Sequence, residues 1–361
     1  MRSRYRSIYN TWLFPIILWM IIYYMYFISI WGIMDLMTES PLKDYLGSWY
    51  AHLELLMGAV LFGTFFSLIN LITDKTRIRR KSFGVIILFK TFLYLIMAFI
   101  VFAMIYGTFY IFELGPFEHT EHPENIFESL TPPFFISWFV YFFYTILLLN
   151  FIVQLNHKLG PGNLRNMITG KYRRPRDEYR IFLFLDLKGS TTIAENLGHD
   201  TYSRLLRNCY HDLTDVVVKY NADIYQYVGD EVVLSWKIRD DNQTLNSVGM
   251  YFAYKQQLEK RGGYYRKRYD IVPEFKGGMD LGVVTAAEIG DIKREIAYHG
   301  DVLNTAARIQ EKCKVWDKDL LVSERVEQKL VSLNGFRKEF MGDVNLRGKG
   351  RKLKIYSVDQ D

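Results

Sequence analysis

Asp186 closes an almost wholly apolar run, Ile181-Phe-Leu-Phe-Leu-Asp186, and Asp230 follows 44 residues later, in the turn of a second β-rich stretch at 225–234. A carboxylate at a buried strand end is costly unless a cation or several N–H donors face it. The pair therefore suggests a cation site, although Gly-Asp is equally a common hairpin turn, and spacing alone leaves both readings open. After Asp186 the chain runs through Leu187-Lys-Gly-Ser-Thr191 into a helical pattern, where Thr192 and Glu195 are spaced as a capping box. A helix N-terminus offers free backbone N–H groups and a favourable dipole to a phosphate. With carboxylates on either side, Gly189, Ser190 and Thr191 outline a cradle for a metal-bound triphosphate; without Asp230 the segment reads as an ordinary strand-to-helix turn. A third segment, His299-Gly-Asp-Val-Leu-Asn-Thr-Ala-Ala-Arg-Ile309, also passes from strand to helix. Its Asn304 and Arg308 stand at i and i+4, on one helix face. An amide suited to a sugar oxygen and a guanidinium suited to a phosphate oxygen would share that surface, though such a pair is more often a solvated face.

These residues need elements to hold them, and the chain divides sharply. Half of it is hydrophobic and 16% is aromatic, with four long apolar stretches at about 12–31, 53–72, 85–112 and 133–153. Each is long enough to cross a bilayer, which takes about 20 helical residues. The first has too long an apolar core, and no small-residue cleavage site after it, for a cleavable signal peptide. Residues 1–155 are thus expected to be an α-helical four-span membrane domain.

Loop charge predicts its orientation. Arg2, Arg4 and Arg6 precede the first span; Lys75, Arg77, Arg79, Arg80 and Lys81 join the second to the third; Lys158, Arg165, Lys171, Arg173, Arg174 and Arg176 follow the fourth. The other two connections carry Asp35, Glu39, Asp44, Glu113, Glu118, Glu121, Glu124 and Glu128, with Lys43 as their only Lys or Arg. By the positive-inside rule the N-terminus and everything after the fourth span are cytoplasmic, in a plasma or inner membrane. The same residues account for the net charge of +6 and read as anchors for anionic membrane lipid. No basic stripe interleaved with aromatics appears, so nucleic acid is not an expected partner. Cys209 and Cys313 lack metal-ligand spacing and read as reduced packing residues. Lys90 lies close enough to the inner surface to snorkel. Glu54 with His52 forms either an intramembrane functional site or a wetted interfacial pair, and His119, His122, Glu118 and Glu121 read as an exposed polar loop before a metal site.

Residues 156–177 form a linker broken by Gly160-Pro-Gly162 and stiffened by Pro175. From 178 to 361 short β-rich runs alternate with helical ones. Strands are expected at 179–185, 224–228, 231–236, 274–284, 295–299, 320–322, 336–345 and 353–358, and helices at 192–220, 244–260, 302–314 and 324–333. That order makes an α+β domain with a ferredoxin-like palm.

Over roughly 178–359 this domain resembles the class III nucleotide cyclase catalytic domain. The resemblance rests on Phe184-Leu-Asp-Leu-Lys-Gly-Ser-Thr191, Tyr227-Val-Gly-Asp-Glu231, Gly300-Asp-Val-Leu-Asn-Thr-Ala-Ala-Arg308 and Leu346-Arg-Gly-Lys-Gly350, in order and at family spacing. It implies that Asp186, Asp230 and the Leu187 backbone hold two divalent cations per site, Mg²⁺ or Mn²⁺, that Asn304 positions the ribose, that Arg308 steadies the reacting phosphate, and that Arg347 faces the pyrophosphate. It also implies a homodimer, because in the family the aspartates and the Asn/Arg pair come from different subunits.

The chain departs from that pattern at the base. ATP-using members usually carry Lys and Asp where this chain has Gln226 and Ala297, and guanylate-specific members Glu and Cys. Gln can read adenine by donating to N1 or accepting from the amine, and Glu295 lies two residues from Ala297 as a substitute acceptor. The resemblance thus implies a membrane-bound adenylate cyclase making cyclic AMP from ATP, with guanylate cyclase as the alternative. A diguanylate cyclase, or a non-enzymatic receptor whose cyclase-like domain only dimerises, fits the motifs less well. No residue names a ligand or protein partner for the membrane half.

Overall fold

Apolar helices at one end and an alternating sheet at the other separate the chain into two units, 1–158 and 159–361. The computed structural model describes residues 12–35, 48–76, 78, 81–111, 132–160, 163–238, 242–330, 335–345 and 352–360. In the first unit the described helices are α1 (Phe14–Asp35), α2 (Trp49–Lys75), α3 (Phe83–Ile111) and α4 (Pro132–Leu159). All four are long and apolar enough to cross a membrane. Their shared core is aromatic: Trp19 is fully buried, 4.2 Å from Phe62, and Tyr94 stacks on Phe66 at 4.6 Å. Lys90 does not snorkel. It is only 2% exposed and donates to Asn70 Oδ1 on α2 at 2.9 Å, because a neighbouring helix supplies an acceptor inside the bundle. His52 packs between Tyr24 and Phe27. The acidic connection holding His119 and His122 lies outside the described residues.

In the second unit a short helix α5 (Asn163–Ile168) leads into β1 (Arg176–Leu187). There follow α6 (Ser190–Leu197), α7 (His199–Lys219), β2 (Asp223–Val228), β3 (Glu231–Lys237), α8 (Asn242–Lys260), α9 (Gly262–Tyr269), β4 (Phe275–Ile289), β5 (Glu295–His299), α10 (Asp301–Trp316), β6 (Leu320–Ser323), α11 (Glu324–Leu330), β7 (Phe336–Asn345) and β8 (Lys352–Gln360). The strands form one mixed eight-stranded sheet in the order β2-β3-β1-β4-β6-β8-β7, with β5 paired to the far half of β4. Among the described residues only the β4–β6 pair is parallel. Leu183, Leu185 and Leu187 point from β1 into a core shared with α7 and α8, through Leu205, Cys209, Leu213, Tyr251 and Tyr254. The opposite face, with Phe182, Val233 and Val284, receives Val302 and Ala306 of α10.

Two expectations are corrected. The helix expected at 192–220 is two helices, because Gly198 takes φ +71° and ends α6 through an N–H to the Ala194 carbonyl; a left-handed residue of this kind is a glycine position. Thr192 and Glu195 make no capping box, since α6 starts at Ser190 with Gly189 as its N-cap. Helix α9 was not expected; its Tyr265, and Arg261 at its N-cap, both bond buried Asp212 of α7. Cys209 and Cys313 are free, and burial pushes both thiols up to about 12.

Glu178, buried near the start of β1, accepts from Lys237, Arg180 and Tyr172. Burial alone would raise its carboxyl, but these donors prevail and hold it at about 2, below the usual 4.5. A depressed folded-state pKa gives stability that is complete above about 4.5 and is lost as pH falls toward 2. The stability difference between the protein and its Glu178→Gln variant should therefore be largest near neutrality and shrink below about pH 4.5, as measured by denaturant unfolding across pH.

Candidate nucleotide site

The two aspartates meet because of register. Asp186 is the last β1 residue paired to β3, opposite Glu231, and Asp230 sits in the β2–β3 turn immediately before Glu231. The Asp186 and Asp230 side chains lie within hydrogen-bonding reach of each other, and Gln310 Nε2 donates to Asp186 Oδ2 at 3.3 Å. Burial first, and Asp230 second, push the Asp186 carboxyl up to about 6. Glu231 rises to about 7, by burial and then by the charges of Asp186 and Asp230. Asp186 and Asp230 thus bring two carboxylates to one strand end, hard-oxygen donors of the kind Mg²⁺ or Mn²⁺ takes, while among the described residues no group of three or more His, Cys, Asp or Glu side chains is arranged to hold a metal ion. A carboxyl raised by burial and by a neighbouring carboxylate fits a cation between the two, because its charge removes their repulsion.

Next to them Gly189 caps α6 with φ +69° and no side-chain cap bond. The first-turn N–H groups of Ser190 and Thr191 are therefore not claimed by a capping side chain. Tyr202 of α7 hydrogen-bonds Ser190 and is raised to about 12 by burial and by Asp230. Tyr210 OH donates to the Gly229 carbonyl at 2.9 Å, which fixes the turn that carries Asp230.

Helix α10 carries the remaining residues on opposite sides. Thr305, Ala306, Ile309, Gln310 and Cys313 face the sheet, whereas Asn304 is exposed and Arg308 is half-buried. Gln310 reaches Asp186, so Asn304, about 120° away around the helix at 100° per residue, faces elsewhere. Within one chain the structure joins Asp186, Asp230 and the start of α6 and directs the Asn304/Arg308 face away from them. Arg347 lies outside the described residues.

Gln226 is exposed on edge strand β2, directly after a bulge that leaves Tyr225 out of register with β3. Ala297 is buried on β5 opposite Ala287. The two positions come together through their neighbours, since the Tyr225 and Tyr298 rings lie 5.2 Å apart. Glu295 is exposed and sits 3.3 Å from Lys293, so it already has a cation of its own. Sequence reasoning passed over Gln310, Glu231 and Lys276. Lys276 stands opposite Asp186 across β1–β4 and is 9% exposed; only the pairing register reveals it.

The family model for the adenylate and guanylate cyclase catalytic domain matches residues 174–360, just over half of the chain. The chain belongs to this cyclase family. Its relatives include Adenylate cyclase 2 of Rhizobium meliloti (strain 1021), 32% identical over 208 residues, or 58% of this chain and 57% of that protein. Adenylate cyclase of Anabaena cylindrica is 22% identical over 206 residues, covering 55% of this chain and 40% of the relative. Receptor-type guanylate cyclase gcy-6 of Caenorhabditis elegans is 24% identical over 181 residues, 49% and 16% respectively. The chain thus spans little more than half the length of the first relative, and less of the others. Among solved structures, a bacterial light-regulated adenylyl cyclase overlays with TM-score 0.51 at 17% identity, covering 60% of this chain and 64% of that one. That overlay places the second unit in the cyclase fold.

Proposed function

We propose that the protein is a membrane-bound adenylate cyclase that converts ATP to 3′,5′-cyclic AMP and pyrophosphate, working as a homodimer with its catalytic unit in the cytoplasm. The observation that carries this reading is the contact of Asp186 and Asp230 beside the N-terminus of α6. Asp186, Asp230 and the Leu187 carbonyl would hold two divalent cations, which when bound acidify the ribose 3′-hydroxyl and neutralise charge on the phosphates. Gly189, Ser190 and Thr191 cradle the phosphates through backbone N–H groups. Lys276 brings an ammonium to the same strand end, suited to the departing pyrophosphate. The 3′-oxygen bonds to the α-phosphorus as the bond from that phosphorus to the α–β bridging oxygen breaks; pyrophosphate leaves with the bridging oxygen, and the hydroxyl proton passes to solvent water. Asn304 orients the ribose and Arg308 stabilises the charge on the transferring phosphate. Because these two face away from Asp186 of their own chain, they serve the site of a second copy.

ATP as substrate rests on Gln226, whose amide matches both N1 and the amine of adenine, and on the adenylate cyclase identity of the 32%-identical relative. Turnover of ATP and GTP by the full chain in lipid nanodiscs, with Mg²⁺ or Mn²⁺, tests the proposal. Cyclic AMP is the expected product, at least about tenfold over cyclic GMP in kcat/KM, the weight of one matched polar group on the base. A preference for GTP overturns the substrate, and no cyclic product from either nucleotide overturns the activity.

A further inference from the structure

A buried ion network runs from the linker to the strands that carry Gln226 and Ala297, and nothing in the chemistry above uses it. Arg180 of β1 lies at its centre and is 4% exposed. Its Nε donates to Glu178 at 2.9 Å, and its Nη1 donates to Ser235 of β3 at 2.6 Å. Nη1 and Nη2 both reach Asp223, the first residue of β2, at 3.3 and 3.2 Å. The guanidinium lies 4.6 Å over the ring of Tyr298, which in turn packs on Tyr225 at 5.2 Å. Tyr298 directly follows Ala297, and Tyr225 is the bulged residue directly before Gln226. One side chain therefore touches β2 at Asp223 and β5 at Tyr298, close to the two positions that the proposed function assigns to the base.

The other end of the network is in the linker. Tyr172 is 3% exposed, although it belongs to no strand or helix. Its hydroxyl donates to Glu178 Oε1 at 2.9 Å and accepts from Lys171 Nζ at 2.8 Å. Its carbonyl accepts from the Glu288 N–H at 2.9 Å, and Glu288 pairs with Ile296, the residue before Ala297. Tyr172 thus holds β5 by two routes, through its side chain by Glu178, Arg180 and Tyr298, and through its backbone by Glu288. A charged fork this deep is costly unless every donor is used, and Arg180 uses Nε and both terminal nitrogens. Displacing Tyr172 would leave Glu178 one donor short and loosen Arg180 over Tyr298.

We propose that Arg180 is a positioning residue for nucleotide-base recognition and that Tyr172 ties its position to the linker, so that movement of the linker alters nucleotide affinity before it alters the chemical step. This rests on the nucleotide cyclase reading. The test is steady-state kinetics with ATP on the full chain in nanodiscs, comparing wild type with Tyr172→Phe, Arg180→Lys and Asp186→Ala, alongside thermal unfolding. Tyr172→Phe keeps the ring and removes only the hydroxyl, and Arg180→Lys keeps the charge and removes the fork. Both are expected to raise KM about fivefold, the weight of one charge-assisted hydrogen bond, with kcat within about twofold of wild type. Asp186→Ala should instead abolish kcat. KM values for both variants within about twofold of wild type, or losses confined to kcat and thermal stability, overturn the proposal. An inactive wild type would instead count against the cyclase reading, so the two failures are distinguishable.

Discussion

Asp186→Ala should lower cyclic nucleotide formation by about a thousandfold or more, since charge neutralisation at the phosphates supplies several kcal/mol of transition-state stabilisation. Its melting temperature should stay level or rise, because the variant loses a half-buried carboxyl that burial and Asp230 destabilise. A purely structural aspartate would give the opposite pattern, with stability falling along with activity. The same variant tests whether sites are shared. In a symmetric homodimer, Asp186→Ala and Asn304→Ala subunits mixed at random give mixed dimers half of the time, each with one intact site. About a quarter of wild-type turnover should return from two inactive proteins. Silence from the mixture, with active wild type, would place Asn304 in the site of its own chain despite its facing away from Gln310 and Asp186.

The second large effect is expected at Gly278, in the middle of β4 opposite Phe184. Here α10 lies directly on the sheet, and a Cβ would come within 2.5 Å of the Ala306 carbonyl oxygen and of the Gln310 Cα. Both obstacles are helix backbone and cannot rotate aside, so Gly278→Ala should cost more than about 3 kcal/mol. For a unit of this size that is a drop of about 6–12 °C in melting temperature. Activity should fall too, since Gln310, Asn304 and Arg308 all ride on α10. Gly263→Ala is the control: a Cβ there meets nothing within 4 Å and sits inside α9, where alanine is neutral or stabilising by up to about 1 kcal/mol. Equal melting temperatures for the two variants would disprove the close approach.

Much of this architecture is legible in the sequence because its signals are periodic. The four apolar stretches and the run that ends at Asp186 state their own length and burial, and the strands at 295–299 and 336–345 match β5 and β7 to the residue. What escaped depends on pairing between distant segments. Lys276 looks like a solvent-facing residue of a strand until β4 is laid antiparallel against β1 and sets it opposite Asp186. Arg180 and Glu178 are charged types at the start of β1, yet they are buried because β2, β3 and the linker close over them. Gly198 interrupts a helical pattern that continues on both sides, so only its φ reveals the break. The Tyr225 bulge shifts the outward face of β2 by one residue, which no alternation of polar and apolar types at 223–228 announces.

The two buried cysteines carry a practical consequence. With both thiols enclosed and held far from the thiolate form, the native chain presents little reactive sulfur to an alkylating probe in its folded state. A single cysteine introduced at exposed Arg173 or Ile292 would then be the one handle for a spin label or fluorophore. Linker movement could be followed on the wild-type background, with neither cysteine replaced.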